Sequence, residues 1–151
     1  MKCIRFSAAL AIFALGVPVF SIAMATPGLA SSFTVVERAT SDAVTDTGAK
    51  DDSVGDILTF ANELYDSANK KKLGDDNGYC FRTAVGKAWE CAWTNRLAGG
   101  QVNVAGPFLD GKDSVLAIVG GTGKYASARG EMALHARDAK GSEYDFKFNV
   151  K

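Results

Sequence analysis

VGDILTFANELYD, residues Val54 to Asp66, is the stretch on which the fold turns. Val54, Ile57, Leu58, Ala61, Leu64 and Tyr65 recur at three- and four-residue spacing, which is the period of an amphipathic helix. A half-buried strand would alternate instead. Taken alone, the segment predicts a helix, whereas almost everything around it predicts strands. Upstream, Phe33 to Ala39 (FTVVERA) is rich in β-branched residues and reads as a strand. Thr40 to Ser53 is Asp, Thr, Ser, Gly and Ala, the composition of a long exposed loop. Lys70-Lys71-Lys72 reads as a solvated turn.

Downstream the signals are uniformly β. Tyr79 to Val85 and Ala88 to Leu97 flank Gly86-Lys87, a short hairpin signature. Gly99-Gly100 turns the chain into Gln101 to Phe108, where Val102, Val104 and Gly106 alternate with Asn103 and Ala105. Asp110-Gly111 marks another turn. Val115 to Val119 is a continuous apolar run and is expected to be buried on both faces. Gly120 to Gly123 breaks it; without a following Lys-Ser/Thr this is a strand-joining turn and not a phosphate loop. Gly130 to Arg137 and Glu143 to Val150 form the last two strands, the latter alternating Tyr144, Phe146, Phe148 and Val150 against Glu143, Asp145, Lys147 and Asn149. Short strands at this spacing imply an all-β sandwich or barrel. With Val54 to Tyr65 counted as a strand there are about eight, the number that closes a barrel able to hold one small ligand.

Four blocks resemble the allene oxide cyclase and dirigent-type barrel superfamily, in its allene oxide cyclase-like branch. Val54 to Asp66 resembles Gly-Asp-Leu, two apolar positions, then Phe-Thr-Asn-Lys-Leu-Tyr. Gly78-Tyr79-Cys80 resembles Gly-x-Cys, and Val104 to Leu109 (VAGPFL) resembles Val-x-Gly-Pro-Tyr-Leu. Ala117 to Gly130 (AIVGGTGKYASARG) resembles the Ala-Ile-x-Gly-Gly-x-Gly stretch of both branches. The blocks run in order from Phe33 to Lys151. The resemblance implies an eight-stranded antiparallel closed barrel, commonly trimeric, with an apolar lumen. It also makes Val54 to Tyr65 a strand, against the periodicity.

It further implies a site. Glu37 falls where the family keeps a carboxylate, and Asn62 and Cys80 match the motif Asn and Cys; these are the candidate catalytic residues. Leu58, Phe60, Trp89 and Phe108 fall on its pocket lining, and Trp93 shares a strand face with Trp89 and Cys91 by period-two alternation. The family's chemistry is largely steric: a pocket folds a polyunsaturated epoxide while a carboxylate stabilises developing positive charge. Three departures reduce the oxygen-binding half of such a site. Ala39 replaces an Asn, no Ser-Pro pair occurs in Thr40 to Ser53, and Phe108 replaces a Tyr.

Cys80 and Cys91 admit two states. As a free thiol, Cys80 would line the pocket or assist catalysis; bridged to Cys91, it would staple adjacent strands. A two-residue turn at Gly86-Lys87 leaves the two diagonal, about 7–8 Å apart and too far to bond. A four-residue turn, Ala84 to Lys87, sets them directly opposite. An oxidising compartment favours the bridge, and the N-terminus predicts one. Lys2 and Arg5 precede an apolar run from Ala8 to Met24, and small residues follow at Ala23-Met24-Ala25 and Gly28-Leu29-Ala30. That is a secretory signal over residues 1–25, or to 30, ahead of a barrel domain at 33–151 and a secreted or periplasmic destination.

The 17 basic and 17 acidic residues balance, which argues against nucleic acid as a partner. No later segment is apolar and long enough for stable membrane insertion. His135 is the only histidine, so multi-histidine metal sites are ruled out, and no cofactor is expected. Three functions remain. The chain is an isomerase- or cyclase-like barrel acting on an apolar unsaturated small molecule, a non-catalytic dirigent-like carrier of a hydrophobic ligand, or a solidly packed interaction protein. A cavity with Glu37 inward selects the first, an apolar cavity the second, and a lumen filled by Trp89 and Trp93 the third.

Overall fold

The computed structural model describes residues 31–151; the signal segment expected at 1–25 lies outside them. Ten strands run in chain order: β1 Ser31–Arg38, β2 Ala43–Thr45, β3 Ile57–Phe60, β4 Glu63–Asp66, β5 Lys72–Ala84, β6 Ala88–Leu97, β7 Gly100–Leu109, β8 Ser114–Gly121, β9 Gly130–Ala136 and β10 Glu143–Val150. A 3-10 turn at Gly123–Tyr125 follows β8. From β5 to β10 each strand pairs antiparallel with the next. β10 then pairs with β1, and β1 with β4, which returns to β5. The sheet is closed. β3 and β4 both lie along β5, so they are one interrupted strand and the ring has eight positions. β2 is a short addition on the free side of β3, inside the segment expected to be loop.

Val54 to Asp66 is therefore extended, as the resemblance implied and against its periodicity. Leu58, Phe60, Asn62 and Leu64 follow one another at two-residue spacing on the inner face. A polar residue at the third inward position, and Ile57, Ala61 and Tyr65 on the other face, give the segment its misleading helical stripe.

Strand alternation sets the core. Leu64, Leu116, Met132, Phe146 and Phe148 are fully buried inside the ring. At roughly 1.5–3 kcal/mol per side chain, they supply the main driving force for closure. Gly78 opens space in β5: a Cβ there would lie 2.3 Å from the Cβ of Trp93, so the glycine is what lets that indole into the lumen.

One expectation changes and one open alternative is decided. The apolar run Val115 to Val119 is not buried on both faces. Leu116 and Ile118 point in, while Val115 and Val119 lie 54% and 51% exposed on the outer wall. Of the two turns open for the β5–β6 hairpin, the two-residue one does not form. Ala84 pairs with Ala88 across Val85-Gly86-Lys87, and a bulge between Arg82 and Ala84 absorbs Thr83. The register beyond it is that of the longer loop, and Cys80 sits directly opposite Cys91.

Candidate functional site

The site lies at the end of the barrel where β1 stops and β10 begins. Glu37 is the last inward residue of β1, pairs with Leu64 and Tyr144, and is 6% exposed. Asn62, at the break between β3 and β4, is the hub that holds it. Its Nδ2 donates to Glu37 Oε1 at 3.0 Å and to Asp42 Oδ1 at 2.8 Å. Its Oδ1 accepts from the Thr40 and Ser41 amides at 2.9 and 3.0 Å and from Ser41 Oγ at 3.1 Å. Both amide protons are thus committed, and one side chain ties the β1–β2 connection, the acid and the interrupted strand together.

Asp76, inward on β5, completes the cluster. Its Oδ1 accepts from the Asn62 amide at 3.3 Å, and its Oδ2 has no donor of its own. Glu37 lies close enough to donate to it once protonated. Burial, then the Asp76 charge, pushes the Glu37 carboxyl well above the ordinary carboxylate range. Burial likewise pushes Asp76 up to about 7. Both shifts favour a proton retained by the pair. Burial, then the Glu37 charge, raises the Tyr144 phenol to about 12, so it stays neutral.

A cavity of about 80 Å³ lies against this acid, walled by Leu58, Phe60, Trp93, Phe108, Leu134 and Phe146 and opening beside Asp42 and Tyr144. Phe60 meets Trp93 edge-on at 5.9 Å, and Trp93 leans on Phe146 at 5.6 Å. Phe108 and Tyr144, edge to face at 6.0 Å, also line an outer recess of about 670 Å³ between the β7–β8 and β9–β10 turns. The same two side chains thus border both spaces. Another recess, about 600 Å³, occupies the opposite barrel end around Phe33, Leu73, Leu97 and Tyr125; its ionisable groups are Lys124, Lys151 and that phenol. None of its described lining residues is an Asp or Glu, unlike the Glu37 end.

The structure thus brings together Glu37, Asn62, Leu58, Phe60, Trp93 and Phe108. Trp89 is elsewhere: it packs in the core under the Arg82 guanidinium, 3.9 Å above its ring, and does not line the cavity. Cys80 borders the cavity but carries no thiol. It is bridged to Cys91 with the Cα atoms 4.0 Å apart, so its expected role as a free catalytic thiol gives way to the strand staple. The bulge at Thr83, by resetting the register, is the reason. His135 sits on the outer wall with Nδ1 2.7 Å from Asp113.

Sequence reasoning missed Asp42, Asp76 and Tyr144 as site groups. Asp76 was within reach: it stands two and four residues before Gly78 and Cys80, hence on their face. Asp42 had no signal, since a loop carboxylate among many is placed only by Asn62.

The allene oxide cyclase family model matches residues 32–137, most of the barrel. A solved structure described as a pyocyanin demethylase is 27% identical over 80% of this chain and 100% of its own, with a TM-score of 0.68. A pterocarpan synthase dirigent protein, 16% identical over 80% and 91% of the two chains, superposes with a TM-score of 0.62. An exo-specific intermolecular Diels-Alderase, 15% identical over 82% and 98%, does so at 0.60. The last two share the fold alone. Strand order, inward acid and motif blocks agree with the match, and this chain belongs to the allene oxide cyclase family.

Proposed function

We propose that this protein is an exported barrel that admits an apolar, unsaturated small molecule at the Glu37 end of its lumen and steers its isomerisation or cyclisation. The observation that carries the reading is the buried Glu37 carboxyl, pinned by Asn62 and facing a cavity of aromatic walls. An acid held proton-ready in a water-poor site can donate to a ligand, or ionise and stabilise a cation that forms on it. The walls would fix the ligand's conformation, which is where much of a cyclisation barrier lies. Asn62 acts here by orienting Glu37, because its own donors are spent. The cavity is about half the 150 Å³ that accepts a benzene ring. Entry therefore requires Phe108 and Tyr144 to swing, joining it to the outer recess and reaching the 300–1,000 Å³ usual for ligand sites. Similarity to proteins named as a demethylase, a dirigent protein and a Diels-Alderase supports a barrel that steers reactions of different kinds.

Native mass spectrometry of protein from its own source tests the reading, since a retained ligand gives the substrate class. Glu37→Gln should then cut turnover of that ligand at least 100-fold. Full turnover without the acid favours the second reading, a dirigent-like carrier that only orients its ligand. Export is supported by the disulfide and tested by N-terminal sequencing for a start after Ala25 or Ala30. A trimer is supported by family membership and by the apolar outer wall of β5 to β8.

A further inference from the structure

The acid cluster at the cavity has no cation of its own. The groups facing Glu37 are Asp42 from the β1–β2 connection, Asn62 from the β3–β4 break, Asp76 from β5 and Tyr144 from β10: two carboxyls, an amide and a neutral phenol. The buried Arg82 is on the same barrel end but spends its guanidinium on Asp52 at 2.6 Å and Asp110 at 2.7 Å. Arg38 points outward to Asn69 and over the Tyr65 ring. Among the described residues no Lys, Arg or His hydrogen-bonds Glu37, Asp42 or Asp76, and no cluster of acids, His or Cys is placed to hold a metal ion. A positive charge is therefore what this pocket lacks.

A second, independent feature shows a pocket with polar capacity in reserve. Trp93 is 5% exposed, forms part of the cavity wall, and its indole N–H has no acceptor. A buried donor left unpaired is a standing cost, removed only by an acceptor atom, so a ligand that relieves it carries one apart from its positive charge. Beside Leu58, Leu134 and the disulfide, the walls are the faces and edges of Phe60, Phe108 and Phe146, which attract a flat ring and more so a cationic one. A fatty-chain carboxylate seated here would instead add a further anion beside three acids.

We propose that this pocket takes flat aromatic nitrogen heterocycles that are cationic, or become so by accepting a proton, with the ring among Phe60, Trp93, Phe108 and Phe146 and the charge toward Glu37. This rests on the reading of the lumen as the ligand site. A permanently charged ring draws Glu37 into its ionised form and releases the proton it shares with Asp76; a neutral base takes that proton itself, and none is released.

Three probes of matched size separate the cases: 1-methylquinolinium, 1-methylnaphthalene and 1-naphthoate. Binding is followed at pH 7 by calorimetry in two buffers and by the indole N–H resonance of Trp93. The cation should bind at least about tenfold more tightly than the hydrocarbon, shift the Trp93 resonance, and release a substantial fraction of a proton, with naphthoate weakest. In Glu37→Gln the cation's advantage should shrink to under about threefold. Asp42→Asn, at the exposed rim and away from the packed core, guards against misfolding of the first variant and should lower it part of the way. Equal affinity for cation and hydrocarbon, or tighter naphthoate, overturns the inference and leaves the lumen reading standing. Failure of all three to shift Trp93 overturns both.

Discussion

Glu37 and Asp76 give the barrel a measurable pH signature. Both carboxyls are raised in the folded state, by burial first, so between the ordinary carboxylate range and about pH 7 the native protein holds more protons than the unfolded chain. Unfolding releases them, and the pair's contribution falls as pH rises through that window. Asp56, Asp66 and Asp138 shift the other way, held down by backbone or Ser hydrogen bonds, and their stabilisation is lost only as pH drops below the ordinary range. Between pH 6 and 8 the raised pair therefore sets the slope. Urea midpoints of the wild type should fall across that interval, and Glu37→Gln should flatten the fall and gain on the order of 1–2 kcal/mol at pH 8. An unchanged slope would place the shared proton elsewhere. Asn62→Ala should act in the opposite sense, costing roughly 2–4 kcal/mol because Glu37, Asp42 and two amides lose their partner together.

Among elements, the β5–β6 hairpin is where local chemistry and site meet. Cys80 and Cys91 close a loop of 11 residues' separation, for which the chain-entropy model gives about 3 kcal/mol. The paired Cys80→Ala, Cys91→Ala variant should lose about that much in chemical denaturation. The unreduced, unfolded wild type should titrate no thiol in the mature chain; two thiols would refute the bridge. At the hairpin's tip, Asp52 accepts from both Arg82 and the Gly86 amide, roping the Thr47 to Ser53 stretch to the barrel mouth. In Asp52→Ala the amides of that stretch should exchange at least about tenfold faster, which reads a local opening.

These elements also show what the sequence could carry. β10 was legible because Tyr144, Phe146, Phe148 and Val150 all face in and all are apolar. Val54 to Asp66 was not, because the buried polar hub Asn62 takes an inward position and the outer face keeps Ile57 and Tyr65 apolar; local rules fail where such a hub overrides them. The turn at Gly86 stayed open between two and four residues because the bulge that decides the register leaves no signature in composition.

At the scale of the whole molecule, the same alternation that fills the lumen leaves an apolar band outside. Tyr79, Ala92, Ala105 and Ala117 stand side by side across four strands, each paired with the next. Tyr79 and Phe81 are 48% and 45% exposed and meet edge to face at 5.5 Å, while Val115 and Val119 flank the row. Three alanines in register make a flat strip, and the large side chains beside it give a partner something to grip. An apolar patch of this kind is the form a contact surface takes. Family membership makes a second and third copy of the chain the expected occupants. Ala105, central in the strip, is the residue to charge: its side chain faces out, so Ala105→Arg leaves the lumen packing alone. Wild type should sediment as a trimer at micromolar concentration and Ala105→Arg as a monomer, with near-identical circular dichroism. If the wild type is itself monomeric, the strip has another partner; if Ala105→Arg still assembles, the copies meet through a different wall.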